Sequence, residues 1–106
     1  MSTETITAKG ASGTTYTFYV YPWKTDFKPV GGIYMVLRKN TQNGNYSILY
    51  VGQTGDLSER FDYHHKKSCF DRNHKTHIAV RVESSEAKRL AIEKDLITNY
   101  NPVCND

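Results

Sequence analysis

Several side chains in this sequence could act on a substrate, and the most telling is a carboxylate. On a helical projection Leu90, Ile97 and Tyr100 share one face, and Glu93 falls among them, i+3 from Leu90 and i−4 from Ile97. Burying an unpaired charge is costly. A carboxylate there is paired with a cation, bound to a metal ion, or set at the rim of the apolar face. All three fit the pattern, and Lys94 beside it shows that the helix carries charge off its polar side. Arg60 and His64, four residues apart, project together from another helix. They offer a permanently charged fork and a group that titrates near neutral pH. Tyr34 and Tyr50 each stand close to a glycine in apolar runs. Cys69, His74 and His77, with His65, contain zinc-ligand atoms, but their spacing fits no strong zinc pattern, so surface placement is expected.

Elements that could position these groups follow from the hydrophobic periodicity. Gly32 to Arg38 and Tyr46 to Gly52 read as two strands around Asn43-Gly44, a strong hairpin signal. Upstream, Thr14 to Trp23 alternates Tyr16, Phe18 and Val20 against Thr17, Tyr19 and Tyr21, and Pro22 ends it. This run covers one side of the core or, alternatively, forms an aromatic platform for unpaired bases. Asp56 and Glu59 resemble a capping box for a helix to about Lys67, with Leu57 and Phe61 buried. Thr76 to Glu83 alternates as a half-buried strand, and Ser84-Ser85 starts a second helix from Glu86 to about Asn99.

The 106 residues suit one domain, with residues 1–13 expected to be a loosely attached N-terminus and residues 14–106 the folded unit. No apolar run approaches the roughly 20 residues of a membrane span, and the N-terminus lacks a secretory pattern, so a cytoplasmic, intracellular protein is expected. Two cysteines are too few for a disulfide framework and are read as reduced thiols. A net charge of +3 only permits a polyanionic partner. The placement of the cations says more: His65, Lys66, Lys67, Arg72, His74 and Lys75 cluster after the Arg60 helix, and Arg38 and Lys39 lie at the hairpin tip. Lys66, Lys67, Arg72, Lys75, Arg38 and Lys39 are candidate contacts to a nucleic-acid backbone.

The triplets Gly32-Ile33-Tyr34 and Tyr50-Val51-Gly52, a hairpin apart, resemble the signature of the GIY-YIG nuclease superfamily. The resemblance extends over Gly32 to Asn105, through Arg60, His64 one turn later, Glu93, and the ending Pro102-Val103-Cys104-Asn105. Gln53 departs from it, since some members carry lysine there. The resemblance implies an α/β (α+β) domain: a small, mostly antiparallel three-stranded sheet flanked by helices, here with an extra N-terminal strand. It implies a catalytic set of Tyr34, Tyr50, Arg60, His64, Glu93 and Asn105, and an endonuclease that hydrolyses DNA, preferred over RNA, using Mg²⁺ on Glu93, with Mn²⁺ able to substitute.

In that reading a tyrosine or His64 takes a proton from water, Arg60 stabilises the transition state, and Asn105 fixes geometry. No target-recognition segment follows Asn105, so selectivity is expected from a partner protein or second subunit. The alternative is a catalytically weak nucleic-acid-binding module. The resemblance also makes a demand on the hairpin. A two-residue turn at Asn43-Gly44 places Tyr34 opposite Gln53 and Tyr50 opposite Leu37, so the phenols face opposite sides of the sheet. A shared site therefore requires a wider odd-numbered loop or a β-bulge.

Overall fold

The alternating runs become strands of one antiparallel sheet in the computed structural model, which describes residues 4–59, 61 and 64–105. The strands are β1 (Glu4–Lys9), β2 (Thr15–Pro22), β3 (Gly32–Lys39), β4 (Tyr46–Thr54) and β5 (His77–Val82), in the order β1-β2-β5-β3-β4. Two helices, α1 (Lys67–Arg72) and α2 (Glu86–Tyr100), and a terminal 3-10 turn (Val103–Asn105) complete the described chain. The class is α+β as expected, but the sheet has five strands, not three and an added one. The extra strand β1 comes from the stretch expected to be loosely attached. Its Ile6 and Ala8 alternate with threonines, Ala8 is buried, and the strand pairs with β2 along its whole length.

The inner face of the sheet packs on α2 through Phe18, Val20, Ile33, Met35, Leu37 and Ala79, which meet Ile92 and Leu96. The sheet curls round this core until the edge strands communicate: Tyr46 Oη on β4 donates to Glu4 Oε1 on β1 at 2.6 Å. The outer face buries Tyr34, Val36, Ile78 and Val80 against Leu57 and Phe70.

Helix α2 begins and ends as its caps dictate. Ser85 accepts from the Lys88 N–H at 3.3 Å, and Asn101 closes the helix in the left-handed region at φ 44°. Its buried stripe differs from the projected one. Leu90 and Tyr100 are exposed, whereas Arg89, Ile92 and Leu96 are buried. A charged residue in the buried stripe disguises it in the hydrophobic pattern.

The helix expected from Asp56 to about Lys67 is replaced, in its described part, by turns followed by the short α1. Local side-chain bonds organise the first of these turns. The Thr54 hydroxyl accepts the Asp56 N–H at 3.1 Å and donates to Glu59 at 3.1 Å, occupying both partners of the capping box, while Asp56 turns to the Ser58 N–H at 2.8 Å.

The hairpin meets the parity demand with a bulge. Tyr34 lies opposite Gly52 and Val36 opposite Tyr50, but beyond Val36 the register shifts, so that Leu37 faces Ile48 and Lys39 faces Tyr46. Leu49 is the additional residue. The tip is not a two-residue turn either. The Asn40 N–H donates to the Asn45 carbonyl at 2.7 Å, and the Asn40 side chain accepts from the Gln42 N–H at 2.8 Å, holding a wider loop.

Cys69 and Cys104, expected as reduced thiols, are joined in a disulfide. The fold sets their Cα atoms 5.8 Å apart, well within bridging range, and this proximity is tertiary and invisible in the spacing. The bond closes a loop of sequence separation 35, which chain-entropy arguments value at about 4 kcal/mol. Cys69→Ser or Cys104→Ser should therefore lower the unfolding free energy by about 2–4 kcal/mol in denaturant titrations. Thiol titration of the native chain under denaturing, non-reducing conditions should find no free thiol.

Candidate active site

Strand alternation carries Tyr34 to the outer face, and the bulge brings Tyr50 to the same side. Their rings lie 6.0 Å apart, and Phe61 packs on Tyr34 at 4.7 Å. Gly52, opposite Tyr34, makes this possible. A Cβ on Gly52 would come within 2.6 Å of the Tyr34 ring carbon and hydroxyl and 2.8 Å of the Tyr50 ring. Gly32 serves a different need, since a Cβ there would lie 2.6 Å from the Arg81 carbonyl. Each glycine in the two triplets thus answers a close approach.

His64 fixes the outer end of this pair. Its Nδ1 accepts the Lys66 N–H at 3.0 Å, so in the neutral ring the proton sits on Nε2, which donates to Tyr34 Oη at 2.7 Å. Burial, with help from His65 and Lys66, lowers the His64 pKa to about 4, so the ring is neutral at physiological pH. Tyr50 completes the cluster, its ring 5.0 Å from that of His64. Burial raises both phenols above the ordinary range, and the charge of Glu93 raises them further.

Glu93 lines the same cleft as Tyr34, Tyr50, His64, Gln53 and Glu59. It is half-buried at the rim of the α2 stripe, and desolvation raises its pKa although the Gln53 main-chain N–H opposes the shift. Among the described residues no cation forms an ion pair with it. One turn earlier, the buried Arg89 donates to Gln53 Oε1 at 3.0 Å and to the carbonyls of Glu83 and Ser84 at 3.1 and 2.9 Å. It locks the end of β4 to the start of α2. Hydrophobic periodicity does not reveal Arg89, whose partners are oxygens of Gln53, Glu83 and Ser84.

Asn105 does not line the cleft. Its side-chain amide pairs with the Val51 backbone in both directions, accepting from N–H and donating to C=O at 2.9 Å each, as a neighbouring strand would. It therefore holds β4 between Tyr50 and Gly52. Arg60 lies outside the described residues. Of the expected backbone contacts, Lys67 and Lys75 both pair with Asp71, and Lys75 also sits 5.0 Å over the Trp23 ring. Arg72 is exposed, and Lys66 lies beside the site through its bond to His64. Arg38 and Lys39 border a separate shallow cleft with His74 and Thr76. The disulfide removes Cys69 as a zinc ligand, and no group of three or more metal-ligating side chains occurs among the described residues.

Residues 30–105 match the family model of the GIY-YIG catalytic domain. No curated protein and no solved structure matches the chain.

The Gly52 contacts predict that Gly52→Ala disturbs the phenol pair more than the sheet, because the obstacles are side chains and not backbone. Any activity of the site should fall by orders of magnitude with a modest loss of Tm, whereas Gly32→Ala should chiefly destabilise. His64 makes a pH prediction. Its pKa falls from 6.5 to about 4 on folding, so the unfolded chain takes up the proton first and stability declines as pH drops through that window. His77 is lowered in the same direction. A Tm series from neutral to acid pH should accordingly slope less steeply for His64→Gln, without becoming flat.

Proposed function

The chain belongs to the GIY-YIG family of nuclease catalytic domains, and from that premise we propose that it is an Mg²⁺-dependent endonuclease acting on DNA. The observation that carries this reading is the placement of Tyr34 and Tyr50 on one face, 6.0 Å apart and in one cleft with His64 and Glu93. Hydrolysing a phosphodiester requires a base for water, positive charge on the phosphoryl oxygens, and help for the leaving oxygen.

The donor set fits a hydrated Mg²⁺. The ion takes oxygen ligands, is commonly held by one or two carboxylates, and retains waters. Glu93 presents a half-buried carboxylate with no described counter-charge, in an open cleft. When bound, the ion supplies positive charge to the phosphate and makes its water a better acid. Mn²⁺ is expected to substitute.

The tyrosine pair holds the proton acceptor. A phenolate at pH 7.5 costs about 3.4 kcal/mol from the ordinary pKa alone, and burial adds to it. Two features of this chain oppose that cost. The His64 Nε2–H donates towards whatever negative charge develops on Tyr34, whose ring lies 6.0 Å from that of Tyr50. Neutralising Glu93 removes a second cause of the raised phenol pKa. With Nδ1 accepting a main-chain N–H, neutral His64 is a donor in this arrangement and the phenols are the better proton acceptors. Arg60 is proposed as the phosphate-binding cation and Asn105 as the residue that positions β4. Lys66, Arg72, Arg38 and Lys39, with Lys67 and Lys75 in so far as Asp71 leaves their charge available, are proposed to contact the backbone. Target selectivity would come from a partner protein or a second subunit.

Glu93→Gln should abolish Mg²⁺-dependent cutting of plasmid and branched DNA while leaving the fold and DNA affinity nearly unchanged, because the amide is isosteric but a poor Mg²⁺ ligand. Retained metal-dependent cleavage in that variant would remove Glu93 from the mechanism. DNA binding without cleavage by the native chain would favour a binding module of the same fold.

A further inference from the structure

The outer face of the sheet is covered at one end and open at the other. Over β3 and β4 it is roofed by Leu57, Phe61 and Phe70. Over β1, β2 and β5, alternation turns Thr7, Lys9, Thr17, Tyr19 and Val82 outward. Tyr19 is 51% exposed and Val82 64% exposed. The connector between β2 and β3 walls this surface with Phe27, Lys28 and Val30, making a groove with Tyr19, Tyr21 and Val82 on its floor.

We propose that this groove is a stacking platform for an unpaired strand of the nucleic acid that the site cleaves, an inference that rests on the nuclease reading. The first argument is continuity with the cleft. Tyr21 meets Phe27 edge-on at 5.3 Å, Phe27 meets Phe61 at 6.3 Å, and Phe61 packs on Tyr34 at 4.7 Å. A line of rings thus runs from the open face to the phenol pair. Lining residues agree: Phe61 and Glu59 border both the candidate site and a small cleft beside Trp23, and Phe27 and Leu57 border both that cleft and the groove.

The second argument is charge. The outward positions of β1 and β2 carry no carboxylate and include Lys9, and the connector adds Lys24 and Lys28 against Asp26. Lys28 on the groove wall and Lys24 in the small cleft beside it set cations against Asp26, and the nearest carboxylate beyond is Glu59 at the site end. The third is the kind of surface. An exposed tyrosine among threonine hydroxyls suits bases stacked without regard to sequence, each worth a measurable share of affinity. Duplex DNA keeps its base faces to itself and gains nothing from such a ring. A second copy of this chain is the competing occupant, and the test below separates the two. The platform would make the preferred substrate one with a single-stranded arm or flap.

The test is binding of fluorescent DNA hairpins in EDTA, where no cleavage can occur. One hairpin is blunt and the other carries a thymidine tail of about ten nucleotides. The native chain should bind the tailed hairpin more tightly than the blunt one. Tyr19→Ala should lose about tenfold on the tailed hairpin and nothing on the blunt one, and Tyr19→Phe, which keeps the ring, should retain the native affinity. Unchanged tail affinity in Tyr19→Ala, or an equal loss on both hairpins, would overturn the platform. So would a dimer in sedimentation that Tyr19→Ala dissolves, because the face would then belong to a second copy. Failure of the nuclease reading has its own signature, the absence of Mg²⁺-dependent cutting by the native chain, and it leaves the tail comparison readable.

Discussion

A β-strand shows its side chains alternately to its two faces, and this period of two governs the whole molecule. Two tyrosines on neighbouring strands can share a site only if their pairing register has the right parity. Leu49 sets that parity as the extra residue of the bulge, and it also seals it, since it is buried with Val36, Phe70 and Cys104. Around it, Asn105 pairs with Val51, and Gly52 leaves space for both rings. Removing the bulge would swap every side chain on one limb of the hairpin between the two faces of the sheet, so the cleft and the hydrophobic core are held by the same irregularity.

The electrostatics of the cleft follow from burial on one side of the sheet. The same desolvation keeps His64 neutral, raises the phenols and raises Glu93. Each group is held in its uncharged form more firmly than in water, so the described residues alone form a site short of positive charge.

Much of this was legible in the sequence because it depends on local chemistry. The alternation of β2 and β5 and the Ser85 cap follow from side-chain period and cap chemistry, and the need for a broken register at Asn43-Gly44 follows once the resemblance puts both tyrosines in one site. What was not legible depends on tertiary neighbours. Thr54 binds the Asp56 N–H and the Glu59 carboxylate among turns where local propensity alone pointed to a helix. Arg89 lies in the buried stripe of α2 because three carbonyl oxygens await it, a fact that hydrophobic periodicity cannot encode. β1 carries only two inward apolar residues, Ile6 and Ala8, too short an alternation to stand out. The two cysteines stand far apart along the chain, and only the packing of the 3-10 turn against α1 brings them together. The glycines of the two triplets were legible as a signature but not as a cause, which is the space each leaves for a ring or a carbonyl.

The Cys69–Cys104 bond also divides the molecule in a topological sense. Residues between the two sulfurs form a covalent ring that contains β5, α2 and Glu93, while Tyr34, Tyr50 and His64 belong to the linear arm that precedes it. The cleft is therefore the seam between a macrocycle and its tail. A backbone break anywhere within the ring opens the circle without releasing a fragment, so the carboxylate and the phenols stay tethered in one molecule for as long as the sulfurs remain joined.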